Sequence, residues 1–306
     1  MLRKIAIALA VVLGLVAILV FSQYRSDLPV EQLKAKYTDA QSKYLDLDGI
    51  SVHYKIEGTG PVLVLLHGTS SSLHTWDGWT QDLKDSFTIV RLDYPGFGIT
   101  GPCTDCDYSV DYYTDFIHLF MEKLGIQQFY LAGNSLGGLI AWKYALRYPQ
   151  QVQKLILVDA AGYKIEKIPF AFKLARTPGL KMVARYITPR SLIKKSILEV
   201  YGDDSKVTDS LIERYDELML REGNRAAFLA RANGNFEYNT AELRSISMPT
   251  LIMWGDGDKW IPVKNAYLFE KDIKDSELKV YKGIGHIPME ELPQETANDA
   301  RAFLIK

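Results

Sequence analysis

Six short, continuous apolar runs alternate with glycine-containing loops and helical stretches, and this alternation restricts the fold more than any other feature of the chain. The runs occupy residues 62–66, 88–92, 129–132, 155–158, 250–254 and 278–281. Continuous apolar runs of this length are typical of parallel strands buried on both faces. Helical patterns such as 110–124 and 136–147 lie between them. The sequence therefore predicts an α/β fold with a doubly wound, mostly parallel sheet.

Two segments depart from this alternation. Residues 44–47 and 50–56 are separated by Asp48-Gly49, a strong signal for a tight hairpin turn, so two antiparallel strands should open the domain. Between 162 and 240 no strand-like run occurs, and amphipathic helical patterns such as 210–221 replace it. We predict a core formed by 44–161 and 241–306, with a helical cap inserted at 162–240.

The N-terminal segment is unusually apolar, because residues 5–21 contain no charged side chain. As a helix this run would span roughly 26 Å, close to the lower limit for crossing a bilayer. Arg3 and Lys4 precede it and favour a cytoplasmic N-terminus. We predict that 1–22 form a hydrophobic membrane anchor that holds the catalytic domain outside the cytoplasm, with 23–43 as a linker. The alternative is a cleaved signal segment and a secreted or periplasmic protein.

Charge and cysteine content exclude some partners and leave others open. A formal net charge of -1 provides no overall field for nucleic acid, so none is expected. Cys103 and Cys106 cannot alone close a zinc site, and they suggest a small disulfide in a loop. The first half of the cap is basic, which suits either anionic lipid or a solvated helical face. Its basic residues are Lys164, Lys167, Lys173, Arg176, Lys181, Arg185, Arg190, Lys194 and Lys195.

The motif Gly133-Asn134-Ser135-Leu136-Gly137 follows one of the apolar runs and precedes a helical stretch. It fits the G-x-S-x-G pattern in the context that this pattern requires. The serine must stand on a tight strand-to-helix turn, and the two glycines remove side chains that would clash there. The motif predicts a nucleophilic hydroxyl at residue 135.

A serine hydroxyl needs a base within hydrogen-bond reach, and the base needs an orienting acid. Asp256 and Asp258 follow the run at 250–254, and His286 follows the run at 278–281. The chain order serine, aspartate, histidine is the order that α/β hydrolases use. Asp159, at the end of another run, is a further candidate acid.

These motifs together resemble the α/β-hydrolase family, and within it capped bacterial serine esterases, lipases and carbon-carbon bond (meta-cleavage product) hydrolases. The resemblance extends from about Tyr44 to the C-terminus, except in the cap. It implies that Ser135 is the nucleophile, Asp258 the acid and His286 the base. The matching motifs are His67-Gly68, Asp93-Tyr94-Pro95-Gly96-Phe97-Gly98, the serine motif, Trp254-Gly255-Asp256-Gly257-Asp258 and Gly285-His286.

The resemblance also predicts an oxyanion hole formed by the backbone amides of Leu136 and Thr69. His67 and Gly68 would support the loop beside it, without proton transfer by His67. The other three histidines, His53, His74 and His118, have positions expected of ordinary strand, loop or helix residues. The mechanism requires neither a metal nor an organic cofactor.

The expected function is hydrolysis of a small-molecule or lipid carboxylic ester through an acyl-enzyme. Serine at residue 135 disfavours the dehalogenases and epoxide hydrolases, which have aspartate at this point of the fold. The alternatives are a carbon-carbon bond hydrolase, a membrane acyltransferase and a non-enzymatic ligand-binding member of the fold. The sequence does not define the acyl chain length or the oligomeric state.

Overall fold

The computed structural model describes residues 3–5, 7, 14, 22–103, 105–165, 168–234 and 238–306. The predicted membrane anchor lies almost wholly outside these residues. Among the residues that are described, no helix has both the length and the apolar character needed to cross a bilayer.

A single eight-stranded sheet forms the centre of the protein, in the order β1-β2-β4-β3-β5-β6-β7-β8. The β1-β2 and β2-β4 pairs are antiparallel, and the remaining pairs are parallel. All six apolar runs form strands, which confirms the predicted fold class. The strands are β1 (Ser42–Leu47), β2 (Ile50–Glu57), β3 (Val62–Leu66), β4 (Thr88–Leu92), β5 (Phe129–Asn134), β6 (Val152–Val158), β7 (Thr250–Gly255) and β8 (Ser276–Tyr281).

The described α-helices cover both faces of the sheet and form the cap between β6 and β7. Helix α1 (Val30–Tyr37) precedes the sheet. The core helices are α2 (Asp77–Leu83), α3 (Val110–Lys123) and α4 (Leu136–Arg147), followed after the cap by α10 (Lys264–Asp272), α11 (Pro288–Glu291) and α12 (Pro293–Leu304). The cap helices are α5 (Phe170–Arg176), α6 (Leu180–Ala184), α7 (Arg190–Val200), α8 (Asp209–Met219) and α9 (Asn224–Ala232).

The opening hairpin has the predicted two-residue turn. Leu47 pairs with Ile50, and the two residues between them, Asp48 and Gly49, have φ values of 53° and 82°. Positive φ at both central positions is the geometry of the turn that matches the twist of antiparallel strands. Elsewhere, in the loop between β4 and α3, Cys103 and Cys106 form the expected disulfide, with their Cα atoms 5.6 Å apart.

Apolar side chains fill both faces of the sheet, as alternating strands and helices require. One face is covered by α3, α4 and α10, with Phe120, Trp142 and Phe269 buried against the strands. The other face is covered by α2 and α12, where Trp79 and Phe303 are buried. Since helices cover both faces of the sheet, a substrate site is expected at the edges of the sheet or under the cap.

Residues 24–38, predicted as part of a linker, pack against the globular domain. We call this segment the N-terminal strap. Its Leu33 is 1% exposed and lies in a small cluster with Ile99 of the core and Leu218 of α8. Arg25 also contacts the cap, because its guanidinium pairs with the buried carboxylate of Asp216 at 2.5 Å.

Candidate active site

The order of the strands brings the predicted site residues to one edge of the sheet. Ser135 follows β5, Asp258 follows β7, His286 follows β8 and Thr69 follows β3. These strands are parallel and lie side by side with β6, so their carboxyl ends share an edge. Ligands of open parallel sheets bind outside the carboxyl ends of the strands.

Ser135 occupies the strained strand-to-helix turn that its motif predicts. Its φ of 55° and ψ of -115° are unusual for a residue with a side chain. A Cβ atom on Gly133 would lie 2.2 Å from the Gly137 carbonyl oxygen, and one on Gly137 would lie 2.2 Å from the Leu66 oxygen. Glycine is therefore required at both positions by the close approach of the backbone.

His286 and Asp258 form a buried pair. The Nδ1 atom of His286 lies 2.6 Å from Oδ2 of Asp258, and both side chains are almost completely buried. The other carboxylate oxygen of Asp258 accepts hydrogen bonds from the amides of Trp260 and Ile261, at 2.7 and 2.9 Å. The carboxylate is thus fixed, and it orients the imidazole so that Nε2 is left for proton transfer.

The side chains of Ser135 and His286 line the same cavity. Ser135 and His286 both line two adjoining lobes, and Thr69 borders both as well. Leu136, which begins α4, borders the larger lobe. This position suits the amides of Thr69 and Leu136 as donors to an oxyanion, a role that remains a prediction.

Asp159 is a third acidic residue at this edge, and sequence reasoning underestimated it. Its carboxyl is fully buried at the end of β6, and Oδ1 accepts a hydrogen bond from the Gly255 amide at 3.1 Å. Burial, together with the neighbouring Asp258 carboxylate, raises the pKa of Asp159 well above its usual range. The neutral form of Asp159 is therefore favoured next to the pair.

The three side chains of Asp159, Asp258 and His286 also have the spacing of a metal site. Their ligand atoms all lie within 4.8 Å of one another. Two of them already bond to each other, and the third is held neutral by its surroundings. The hydrogen bond between His286 and Asp258 therefore already engages two of the three groups.

Two polar residues that sequence reasoning left without a role hold the histidine loop. Asn134 donates from Nδ2 to the His286 carbonyl oxygen at 2.9 Å, which joins the serine turn to that loop. Glu291 is buried, and its carboxylate accepts from the amides of Gly285 and Gly202, at 2.8 and 2.9 Å. Asn134 could have been noticed because it precedes the nucleophile, but no local pattern marks Glu291.

His67 has a structural position beside the site. Its Nδ1 donates to the Gly68 carbonyl oxygen at 2.8 Å, and its ring stacks on Tyr94 with the centroids 4.1 Å apart. Burial lowers the pKa of His67 to about 4, so the ring is neutral at physiological pH. A Cβ atom on Gly68 would approach Cβ of Ser135 to 3.2 Å. Both residues therefore lie in the loop next to the serine, and their supporting role stays a prediction.

The remaining candidates lie away from the paired groups. Asp256 is exposed, and its carboxylate accepts from the Gly283 amide at 2.6 Å, which is a loop contact. His53 is buried with Nδ1 2.8 Å from the Asp93 carboxylate. His74 bonds to the Tyr37 carbonyl oxygen at 2.9 Å, and His118 stacks on a tyrosine. None of these residues lines the two lobes described above.

The two lobes differ in character. The smaller lobe, of about 120 Å³, extends under the cap and is lined mainly by aliphatic and aromatic side chains of α5, α7 and α9. The larger lobe, of about 560 Å³, is bordered by Lys164, Arg176 and Arg231 in addition to apolar side chains, whereas the smaller lobe has one arginine in its lining, Arg225. Phe172 and Trp260 border both lobes. A substrate at Ser135 can therefore place an apolar group in the smaller lobe and a more polar group in the larger lobe.

Proteins that are similar to this chain include several hydrolases. The family model described as "alpha/beta hydrolase fold" matches residues 61–181. The chain is 27% identical to Lipase 3 of a Moraxella species, over 94% of this chain and 88% of that protein. It is 25% identical to the 2-hydroxy-6-oxo-6-(2'-aminophenyl)hexa-2,4-dienoic acid hydrolase of Metapseudomonas resinovorans, over 90% and 95%.

The structure is also similar to the crystal structure of a membrane phospholipase A described as a bacterial virulence factor. The TM-score is 0.74 at 25% identity, and the match covers 99% of this chain and 98% of that one. The protein thus has the α/β-hydrolase fold. Its sequence is similar to those of hydrolases with this fold, both lipases and meta-cleavage product hydrolases, and this similarity supports a hydrolase.

Proposed function

We propose that the protein is a serine hydrolase that cleaves carboxylic esters. The observation that carries this proposal is the position of Ser135, on its strained turn, in the same cavity as an imidazole that is paired with a buried carboxylate. This combination is what an activated serine nucleophile requires.

In the proposed reaction, His286 accepts the Ser135 proton as the oxygen attacks the acyl carbonyl. The same imidazole then protonates the departing alcohol, which leaves an acyl-enzyme. Water repeats the attack, and the acid is released. Asp258 keeps the proton on Nδ1 and stabilises the imidazolium, while the amides of Leu136 and Thr69 receive the developing negative charge on oxygen.

The shape of the cavity favours a lipid-like ester. An acyl chain would occupy the apolar lobe beneath the cap, and the alcohol group would extend into the larger lobe. The similarity to a lipase and to a membrane phospholipase A supports this orientation. The apolar run at residues 5–21 would hold the enzyme at a membrane, with the catalytic domain outside the cytoplasm.

Replacing the nucleophile or the base tests the chemistry. We expect Ser135→Ala or His286→Ala to lower ester turnover by about 10⁴-fold or more, because both act within one catalytic unit. A fluorophosphonate probe should label the wild type and not Ser135→Ala. Near-normal hydrolysis by either folded variant would refute the roles, and a folded wild type without labelling would favour a binding function.

The second candidate is carbon-carbon bond hydrolysis, which the relative from Metapseudomonas resinovorans supports. A panel of p-nitrophenyl esters of rising acyl length, run beside a ring-fission dienoate, separates the two. Higher kcat/KM for the esters, rising with chain length, is the expected result. Higher kcat/KM for the dienoate would transfer the assignment to the second class.

A further inference from the structure

The first half of the cap contains a cluster of exposed hydrophobic side chains. Among the described side chains between residues 168 and 186, five large hydrophobic ones are exposed, including Phe170 at 52% and Tyr186 at 50%. Isolated exposed apolar residues are ordinary, but a cluster in a short segment marks an interaction surface. The other members of the cluster are Ile168, Leu180 and Val183.

The same segment is strongly basic. Among the described residues, no carboxylate lies within salt-bridge distance of the six exposed basic side chains of this region. The only acidic residue in the sequence from 163 to 198 is Glu166. We call these side chains and the apolar cluster the basic cap surface. Its basic members are Lys164, Lys173, Arg185, Arg190, Lys194 and Lys195.

Contacts between the helices join these side chains into one surface. Lys195 of α7 lies over the ring of Phe170 of α5, with Nζ 5.3 Å from the ring centroid. Arg185 lies over the ring of Tyr186 at 5.8 Å. Helices α5 and α6 pack directly on each other. Charged heads and apolar rings are therefore interleaved.

The basic cap surface lies beside two functionally important features. The amide of Arg25 in the N-terminal strap donates to the Tyr186 carbonyl oxygen at 3.2 Å, so the chain that emerges from the apolar N-terminal segment meets this surface. Lys164 and Ile168 border the larger lobe of the cavity that contains Ser135. The surface therefore contacts the N-terminal strap and also borders the larger lobe of the cavity.

We propose that the basic cap surface binds the headgroup region of an anionic lipid bilayer. Interfacial protein surfaces combine apolar side chains that enter the acyl boundary with Lys and Arg that attract acidic headgroups. A soluble polyanion would pair with the basic side chains but would leave the exposed aromatic rings in water. This inference goes beyond ester hydrolysis, because it concerns docking and holds whatever bond the enzyme cleaves.

A single fluorescent label tests the contact in the full chain. Both native cysteines are in the disulfide, so Val183→Cys provides one reactive thiol for an environment-sensitive NBD label. The labelled protein is reconstituted in vesicles of phosphatidylcholine alone or with 30 mol% phosphatidylglycerol, on the order of a typical anionic leaflet. We expect the emission to rise about twofold or more, with a blue shift, when phosphatidylglycerol is present.

Matched controls separate docking from anchoring and from catalysis. A label at Ile305→Cys, an exposed site near the C-terminus, should not respond to phosphatidylglycerol. The double change Lys194→Glu with Lys195→Glu should abolish the response at residue 183. Hydrolysis of a soluble p-nitrophenyl ester reports on the chemistry independently. The proposal would be overturned if phosphatidylglycerol changed the emission of both labels equally. It would also be overturned if the emission at residue 183 changed neither with phosphatidylglycerol nor with the two lysine substitutions.

Discussion

At the scale of single residues, the site depends on two buried carboxyl groups that lie together and differ in their hydrogen bonds, Asp258 and Asp159. The Asp258 carboxylate accepts hydrogen bonds from two backbone amides and also bonds to His286. The buried carboxyl of Asp159, next to Asp258, accepts a hydrogen bond from one backbone amide. Like charges that approach closely in a buried site cannot both ionise. We therefore assign the proton to Asp159, and the role of the acid in the pair to Asp258 because of its hydrogen bonds to His286 and to two amides.

This assignment predicts different outcomes for two isosteric changes. Asp258→Asn removes the charge that stabilises the imidazolium, and we expect kcat to fall by about 10⁴-fold, as in comparable triads. Asp159→Asn replaces a neutral acid by a neutral amide, so kcat should fall by less than about tenfold. Steady-state measurement of kcat for the two variants distinguishes the two roles, with Asp256→Asn as the control. A larger loss at Asp159 would make that residue the acid.

The motif residues at this scale were predictable because each follows a strand whose apolar pattern is visible in the sequence. Ser135, Asp258 and His286 lie after β5, β7 and β8, as expected. The roles of Asn134 and Glu291 were not predictable, because each depends on which loop packs against which. Nothing near Glu291 in the sequence indicates contact with an amide about 90 residues earlier.

At the scale of elements, the N-terminal strap is the main departure from expectation. It was predicted as a linker because its composition is polar and mixed. Leu28 exchanges backbone hydrogen bonds with Leu220 and Glu222 of the cap. Tyr37 donates to Glu217 at 2.7 Å, and its carbonyl oxygen accepts from His74 of the core. The strap therefore holds the cap and the core together.

Removing the one fully buried apolar side chain of α1 should release the strap. We expect Leu33→Ala to lower the free energy of unfolding by about 2–4 kcal/mol, because a buried leucine leaves a cavity. Limited proteolysis should then cut residues 24–38 faster than in the wild type. Gln32→Ala, a change on the exposed side of the same helix, is the matched control. Equal cleavage of the two variants would contradict a stabilising role for the strap.

At the scale of the whole molecule, buried histidines link stability to pH. Burial lowers the pKa of both His67 and His74 to about 4, from an ordinary value of 6.5. The unfolded chain consequently binds more protons than the native protein below pH 6.5. Stability should therefore be fully present above that pH and decline as the pH falls towards 4.

For His67, the shift corresponds to roughly 2–3 kcal/mol lost between pH 7 and pH 4.5. We expect His67→Phe to lower stability at pH 7, because the bond to Gly68 is lost, but to reduce the difference between the two pH values by about that amount. Urea unfolding followed by tryptophan fluorescence in mild detergent measures both. An unchanged difference in the variant would show that His67 does not carry the effect.

The sequence by itself determined the sheet, the hairpin, the inserted helical cap and the order of the catalytic motifs, because apolar period and turn chemistry act over short distances. Only the tertiary structure decided which groups meet. It paired His286 with Asp258, buried Asp159 beside them, docked the strap on the cap and divided the cavity into two lobes. The physical reason is that burial and charge coupling depend on every segment that closes around a group, and these segments are far apart along the chain.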